Sequence, residues 1–131
     1  MRLLLDTHIW VWSQLAPDRL SRRVRTALQN PEAELWLSPI SVWELLLLID
    51  GGRVTVRGEP GEWVEGALRA GPFREAPLTH AVALESRRVT LPHRDPADRF
   101  LAATARVLNL ALVTADARLL AAKPCKLLAN R

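Results

Sequence analysis

Two short apolar runs, each closed by an aspartate, constrain this chain more than any other feature. Leu3-Leu4-Leu5 stops at Asp6, and Leu110-Ala111-Leu112-Val113 stops at Thr114-Ala115-Asp116. Runs this brief and without alternation fit strands buried on both faces, as in a parallel sheet covered by helices. Helix and strand signals alternate between them. Thr7 is placed to cap a helix in which Ile9, Trp10, Trp12 and Leu15 recur at helical spacing until Pro17. Val24, Ala27 and Leu28 among arginines give a second helix, closed by Asn30-Pro31, and Leu35-Trp36-Leu37 reads as a strand. Ser38-Pro39 opens a helix carrying Val42, Trp43, Leu46 and Leu47 that ends at Gly51-Gly52.

Residues 53–61 read as a connection, and Pro60 can lead a helix through Trp63, Val64 and Leu68. A short strand is expected within Phe73 to Leu78, then a helix through Ala81, Leu84 and Val89. The stretch Thr90 to Asp95 is a loop, and Pro96 starts a helix with Asp98 in its first turn and Phe100, Leu101, Thr104, Ala105 and Leu108 as its apolar stripe. This order predicts an α/β fold: a parallel sheet, helices on both faces, right-handed crossovers, and a single domain over 1–131. In such sheets ligands bind beyond the carboxyl ends of the strands, where Asp6 and Asp116 are expected.

Composition narrows the setting. Half the residues (49%) are apolar, enough for a core without cross-links, and the single cysteine, Cys125, can build neither an intramolecular disulfide nor a thiolate zinc site. A reducing compartment, by default the cytoplasm, is expected. Asp6 and His8 interrupt the first apolar run too early for a signal peptide, and Leu45 to Ile49 falls far short of the roughly 20 residues of a membrane span. No membrane role is expected. A net charge of +4, with Arg19, Arg22, Arg23 and Arg25 crowded together, suits a polyanionic partner and equally a solvated helix face.

Glu44 stands among Trp43, Leu45, Leu46, Leu47 and Leu48, where an unpaired carboxylate is costly, and Asp98 precedes Leu101-Ala102-Ala103 on a helix whose amino end points to the sheet's carboxyl edge. Convergence of Asp6, Glu44, Asp98 and Asp116 would need a cation to offset their repulsion. Oxygen-only donors suit Mg²⁺ or Mn²⁺ rather than Zn²⁺, and such sites commonly hydrolyse phosphodiesters with an activated water.

Four motifs appear in order: Leu3-Leu4-Leu5-Asp6-Thr7-His8, Ser41-Val42-Trp43-Glu44-Leu45, Asp95-Pro96-Ala97-Asp98-Arg99-Phe100-Leu101-Ala102-Ala103-Thr104-Ala105 and Leu112-Val113-Thr114-Ala115-Asp116. Together they resemble PIN-domain ribonucleases, particularly VapC-type toxins. The resemblance implies a three-layer α/β/α sandwich and Mg²⁺- or Mn²⁺-dependent endoribonuclease activity on RNA. It also implies a cognate antitoxin and homodimers. It places Asp6, Glu44, Asp98 and Asp116 in the catalytic and metal-binding quartet, with the Thr114 hydroxyl near the metal and Thr7 in support. Asp95 competes with Asp98 as the closer metal neighbour; the register of the following alanines favours Asp98 and leaves Asp95 supporting the site or facing substrate.

Around these, Arg99 is read as orienting Asp98, with phosphate contact the other option. His93 and Arg94 are candidates for steering RNA phosphate, whereas His8 is read as a helix-start residue bonded locally. Of the five tryptophans, Trp10, Trp12, Trp36 and Trp43 are assigned to packing and Trp63 to the surface. Two rivals remain. A phosphoryl-transfer domain built on an aspartate is disfavoured, because no lysine precedes Asp116 near the late strand. A non-catalytic RNA- or protein-binding module would use Arg22, Arg23, Arg87 and Arg88.

Overall fold

The structure, a computed structural model, describes residues 1–131. Its strands are β1 (Arg2–Leu5), β2 (Glu34–Leu37), β3 (Phe73–Glu75), β4 (Ala111–Thr114) and β5 (Leu127–Ala129). The helices are α1 (Thr7–Leu15), α2 (Arg22–Gln29), α3 (Pro39–Asp50), α4 (Pro60–Ala70), α5 (His80–Glu85), α6 (Pro96–Leu108) and α7 (Ala117–Ala122). All strands lie parallel in one sheet of order β3-β2-β1-β4-β5.

Side chains alternate across this sheet, so each apolar run feeds two cores. Leu3, Leu5, Leu35, Leu37, Val113 and Leu128 join Ile9, Trp10, Val24, Leu45 and Val64 from α1 to α4. Leu4 and Leu112 point the other way, into Leu101 and Ala105 of α6 and Leu119 of α7. Helices therefore cover both faces, giving the expected α/β/α layering. A third cluster, Val82, Val89, Ala102 and Ala103, fastens α5 to the outer side of α6.

The chain leaves β1 toward β2 and β3, then returns to the other side of β1 for β4 and β5. At such a reversal the connections diverge and leave a crevice beyond the carboxyl ends of β1 and β4. Leu3, Leu4 and Leu5 pair with Ala111, Leu112 and Val113, so the residues that follow each strand emerge side by side. Asn109, at φ 54°, adopts the left-handed conformation that ends α6 and turns the chain into β4.

Several local expectations change. Asp6, not Thr7, caps α1, its carboxylate accepting from the Thr7 amide, because Thr7 already has helical geometry. Strand β3 lies within the expected stretch, whereas α5 ends at Glu85 in a 3₁₀ turn over Ser86–Arg88, short of Val89. Helix α7 and edge strand β5 were not anticipated, since charged residues and Pro124 break the apolar pattern after Asp116. Trp63 is half-buried against the α1–α4 core, and Trp43 is the exposed tryptophan, at 53%. No helix is long and apolar enough to cross a membrane.

Leu112, fully buried between β1 and α6, supports the strand that delivers Asp116. Leu112→Ala is expected to lower stability by about 2–5 kcal/mol in denaturant unfolding, with an unchanged dependence on denaturant.

Candidate active site

A cleft of about 290 Å³ opens at the reversal point, lined by Asp6, His8, Trp12, Glu44, Asp95, Asp98, Ala115, Asp116 and Arg118. A larger hollow of about 610 Å³ lies against α5, but Glu85 is its single acid. The cleft gathers all four sequence-predicted quartet residues together with Asp95. They come from separate places in the chain: the end of β1, the middle of α3, the start of α6 and the second residue after β4.

Three of the five acids are placed by the helix they precede. Asp6 caps α1, Asp95 caps α6 through the amides of Ala97 and Asp98, and Asp116 caps α7 through those of Arg118 and Leu119. The free N–H groups and the positive end of the helix dipole favour a carboxylate at each position. Asp98 lies in the first turn of α6 and is buried, and Glu44 projects from α3 toward α1.

Hydroxyls tie the acids to one another. Thr114, fully buried, donates through Oγ1 to Asp6 Oδ2 at 2.6 Å and accepts from the Asp116 amide at 3.0 Å. The other Asp6 oxygen accepts from the Thr7 amide at 2.8 Å, so both oxygens are fixed. Thr7 Oγ1 donates to Glu44 Oε1 at 2.5 Å and lies 2.9 Å from the Ser41 hydroxyl. On the opposite wall His93 Nε2 lies 2.8 Å from Asp98 Oδ2. The other ring nitrogen of His93 is buried without a partner.

Burial and mutual repulsion shift these groups. Asp6 is raised above its ordinary value mainly by burial, against the hydrogen bonds of Thr114 and Thr7. Glu44 is raised by burial, with the charges of Asp6 and Asp95 adding to it and the Thr7 bond opposing it. Asp98 is pushed from 3.8 up to about 6 by burial, opposed by His93 and reinforced by Asp95, Asp6 and Asp116. Asp116 moves down: burial pulls it up, and the hydrogen bonds and charge of Arg118 outweigh that.

The supporting residues divide. Thr7, Thr114 and Asp95 lie among the acids. Arg99 does not: its Nη1 donates to the carbonyls of Ser86 and Val89, at 3.0 and 2.6 Å, and ties α6 to the 3₁₀ turn. The residues oriented on Asp98 are instead His93 and Arg118. Arg94 is exposed on the loop and does not line the cleft. His8 does line it, tilted against Trp12 with centroids 5.8 Å apart, while Arg19 lies 4.5 Å over the Trp12 ring. Arg118 was missed, although a cation two residues after a capping acid is a readable signal.

The donor set is all-carboxylate and concentrated in one cleft, which fits a hard divalent cation by its chemistry. As arranged, no three of these side chains are grouped closely enough to hold an ion between them; oxygens of Glu44, Asp98 and Asp116 are held by Thr7, His93 and Arg118.

A parallel α/β/α sandwich with an acidic cleft at its strand reversal defines a recognisable class of domain. The chain belongs to the PIN-domain family, whose model matches residues 3–123. It is 34% identical over 120 residues to Ribonuclease VapC22 of Mycobacterium tuberculosis, covering 89% of this chain and 88% of that protein. Its fold is similar to that in VapBC2 from Rickettsia felis bound to a promoter DNA fragment (TM-score 0.71, 16% identity, 98% of both chains). A DNA-bound VapBC structure from Salmonella typhimurium is likewise similar (TM-score 0.70, 18% identity, 100% of this chain and 99% of the other).

Two outcomes follow. Between 3.8 and about 6 the folded chain retains a proton on Asp98 that the unfolded chain releases, so ionisation of Asp98 costs stability as pH rises. In chelator, Asp98→Asn is expected to gain stability relative to the native chain from about pH 4 to about pH 7 in denaturant titrations; a pH-independent difference would contradict this. Thr114→Val, nearly isosteric, leaves the Asp6 carboxylate and the Asp116 amide each short of a partner. It is expected to lower stability by about 1–3 kcal/mol in the same measurement.

Proposed function

We propose that this chain is a divalent-metal-dependent endoribonuclease that hydrolyses RNA phosphodiester bonds with water. In this reading it is the toxin of a toxin–antitoxin pair, acting in the cytoplasm as a homodimer. The observation that carries the reading is the convergence of five carboxylates from separate elements on one cleft at the strand reversal. Its relative is named a ribonuclease, and its structural neighbours are toxin–antitoxin complexes.

Bound Mg²⁺ or Mn²⁺ would supply an activated water and charge neutralisation at the phosphate. Asp6, Glu44, Asp98 and Asp116 are the residues to hold it, and the protein's own work is to keep their oxygens aimed. Thr114 fixes Asp6 relative to Asp116, and Thr7 fixes Glu44 relative to α1. His93 holds one oxygen of Asp98 and leaves the other for the cleft. Asp95 adds charge on the wall where substrate approaches. Trp12 and His8 offer an aromatic edge beside the acids on which a base can rest. An antitoxin suited to this cleft would present an arginine, whose planar fork pairs with two carboxylate oxygens at once.

The test is cleavage of a mixed structured RNA pool by antitoxin-free protein in Mn²⁺, beside a chelated sample and Asp98→Asn. Cleavage is expected from the native chain only, with the variant slower by roughly a hundredfold or more. Cutting that survives either control, or RNA binding that survives both without any cutting, would overturn the reading. The latter would favour a binding module.

A further inference from the structure

Arg118 occupies an unusual position. It is the second residue of α7, at the positive end of the helix dipole, where a cation is disfavoured. A lysine or arginine there needs compensation, and this one finds it in the cleft. Its Nη2 lies 3.1 Å from Asp116 Oδ2 and 3.8 Å from Asp98 Oδ2, and its Nε lies 3.4 Å from Asp116 Oδ1. The guanidinium thus bridges two acids carried by different helices. It also adopts the forked approach to Asp116 by which arginine matches a carboxylate.

The side chain reaches this place from the rim, not from the core. It remains 54% exposed, so it can swing into solvent without opening the packing of α7, which is anchored by the fully buried Leu119. Asp98, by contrast, is 9% exposed at its side chain and fixed by His93. Arg118 is exposed and Asp98 is enclosed. A divalent ion drawn to the same two carboxylates would meet a positive charge already on them, and like charges at this range repel strongly.

We propose that Arg118 is the resident counter-cation of the acidic cleft and competes with the divalent ion for Asp98 and Asp116. The inference rests on the metal-dependent reading of the site. In the ion-free chain Arg118 neutralises part of the gathered negative charge and joins α6 to α7. When the ion binds, the guanidinium yields and turns outward. Ion binding then includes the cost of breaking the internal pair, so the apparent affinity is held below the intrinsic affinity of the carboxylates alone.

The test is Mn²⁺ binding to the full chain by titration calorimetry, for the native protein, Arg118→Gln and Arg94→Gln. The Arg94 variant removes the same charge from an exposed loop position outside the cleft. Arg118→Gln is expected to bind Mn²⁺ roughly tenfold more tightly than the native chain, and Arg94→Gln to differ by less than about twofold. In chelator Arg118→Gln is expected to melt below the native chain, and Mn²⁺ to raise its Tm by the larger amount. Equal affinities for native and Arg118→Gln, or an equal gain in both variants, would overturn the competition while leaving the ion site standing. Absence of Mn²⁺ binding in every chain would overturn the ion site and the competition together.

Discussion

The repulsion among carboxylates at the carboxyl ends of β1 and β4 is the constraint around which this structure is arranged. Asp6, Asp98 and Glu44 are all raised by burial, and each feels the charge of its neighbours. Left alone, such a cluster would protonate or push the elements apart. Each acid instead has a dedicated partner: Thr114 for Asp6, Thr7 for Glu44, His93 for Asp98 and Arg118 for Asp116. These partners fix geometry while leaving the cleft negative, the condition under which a divalent ion gains most by binding.

The fold limits the cost by making most of the acids serve two purposes. Asp6, Asp95 and Asp116 each cap the helix that follows them, so exposed amides and helix dipoles offset charge that would otherwise be uncompensated. The same capping contacts aim the carboxylates into the crevice. Asp98 and Glu44 are the exceptions: Asp98 is oriented by His93, and Glu44, inside α3, depends on a side chain from α1 for its orientation. That contact couples the packing of α1 against α3 to the geometry of the site.

Much of this was readable before the structure. Leu3 to Leu5 and Leu110 to Val113 announced the two central strands, because a doubly buried strand leaves no alternation to confuse with a surface one. Prolines placed the helix starts at Pro39, Pro60 and Pro96. The four acids were placed by strand ends and apolar surroundings. What escaped were features set by tertiary context. An edge strand such as β5 needs no strong pattern of its own once β4 provides the ladder. The turn of Arg99 toward Ser86 and Val89 depends on where the 3₁₀ segment passes, which sequence spacing does not encode. Trp43, assigned by its apolar neighbours to core or dimer packing, is exposed on α3 in the single chain, so the core option is the one that fails.

The arrangement of the acids has its purpose if the cleft holds an ion, and locating that ion is the decisive measurement. Crystals grown with Mn²⁺ and measured at the manganese absorption edge would show where it binds. An anomalous peak is expected within ligand distance, about 2.0–2.3 Å, of carboxylate oxygens from Asp6 and at least one of Asp98 and Asp116. Peaks confined to surface acids, with the cleft carboxylates still paired to Thr114, His93 and Arg118 as they are now, would contradict it.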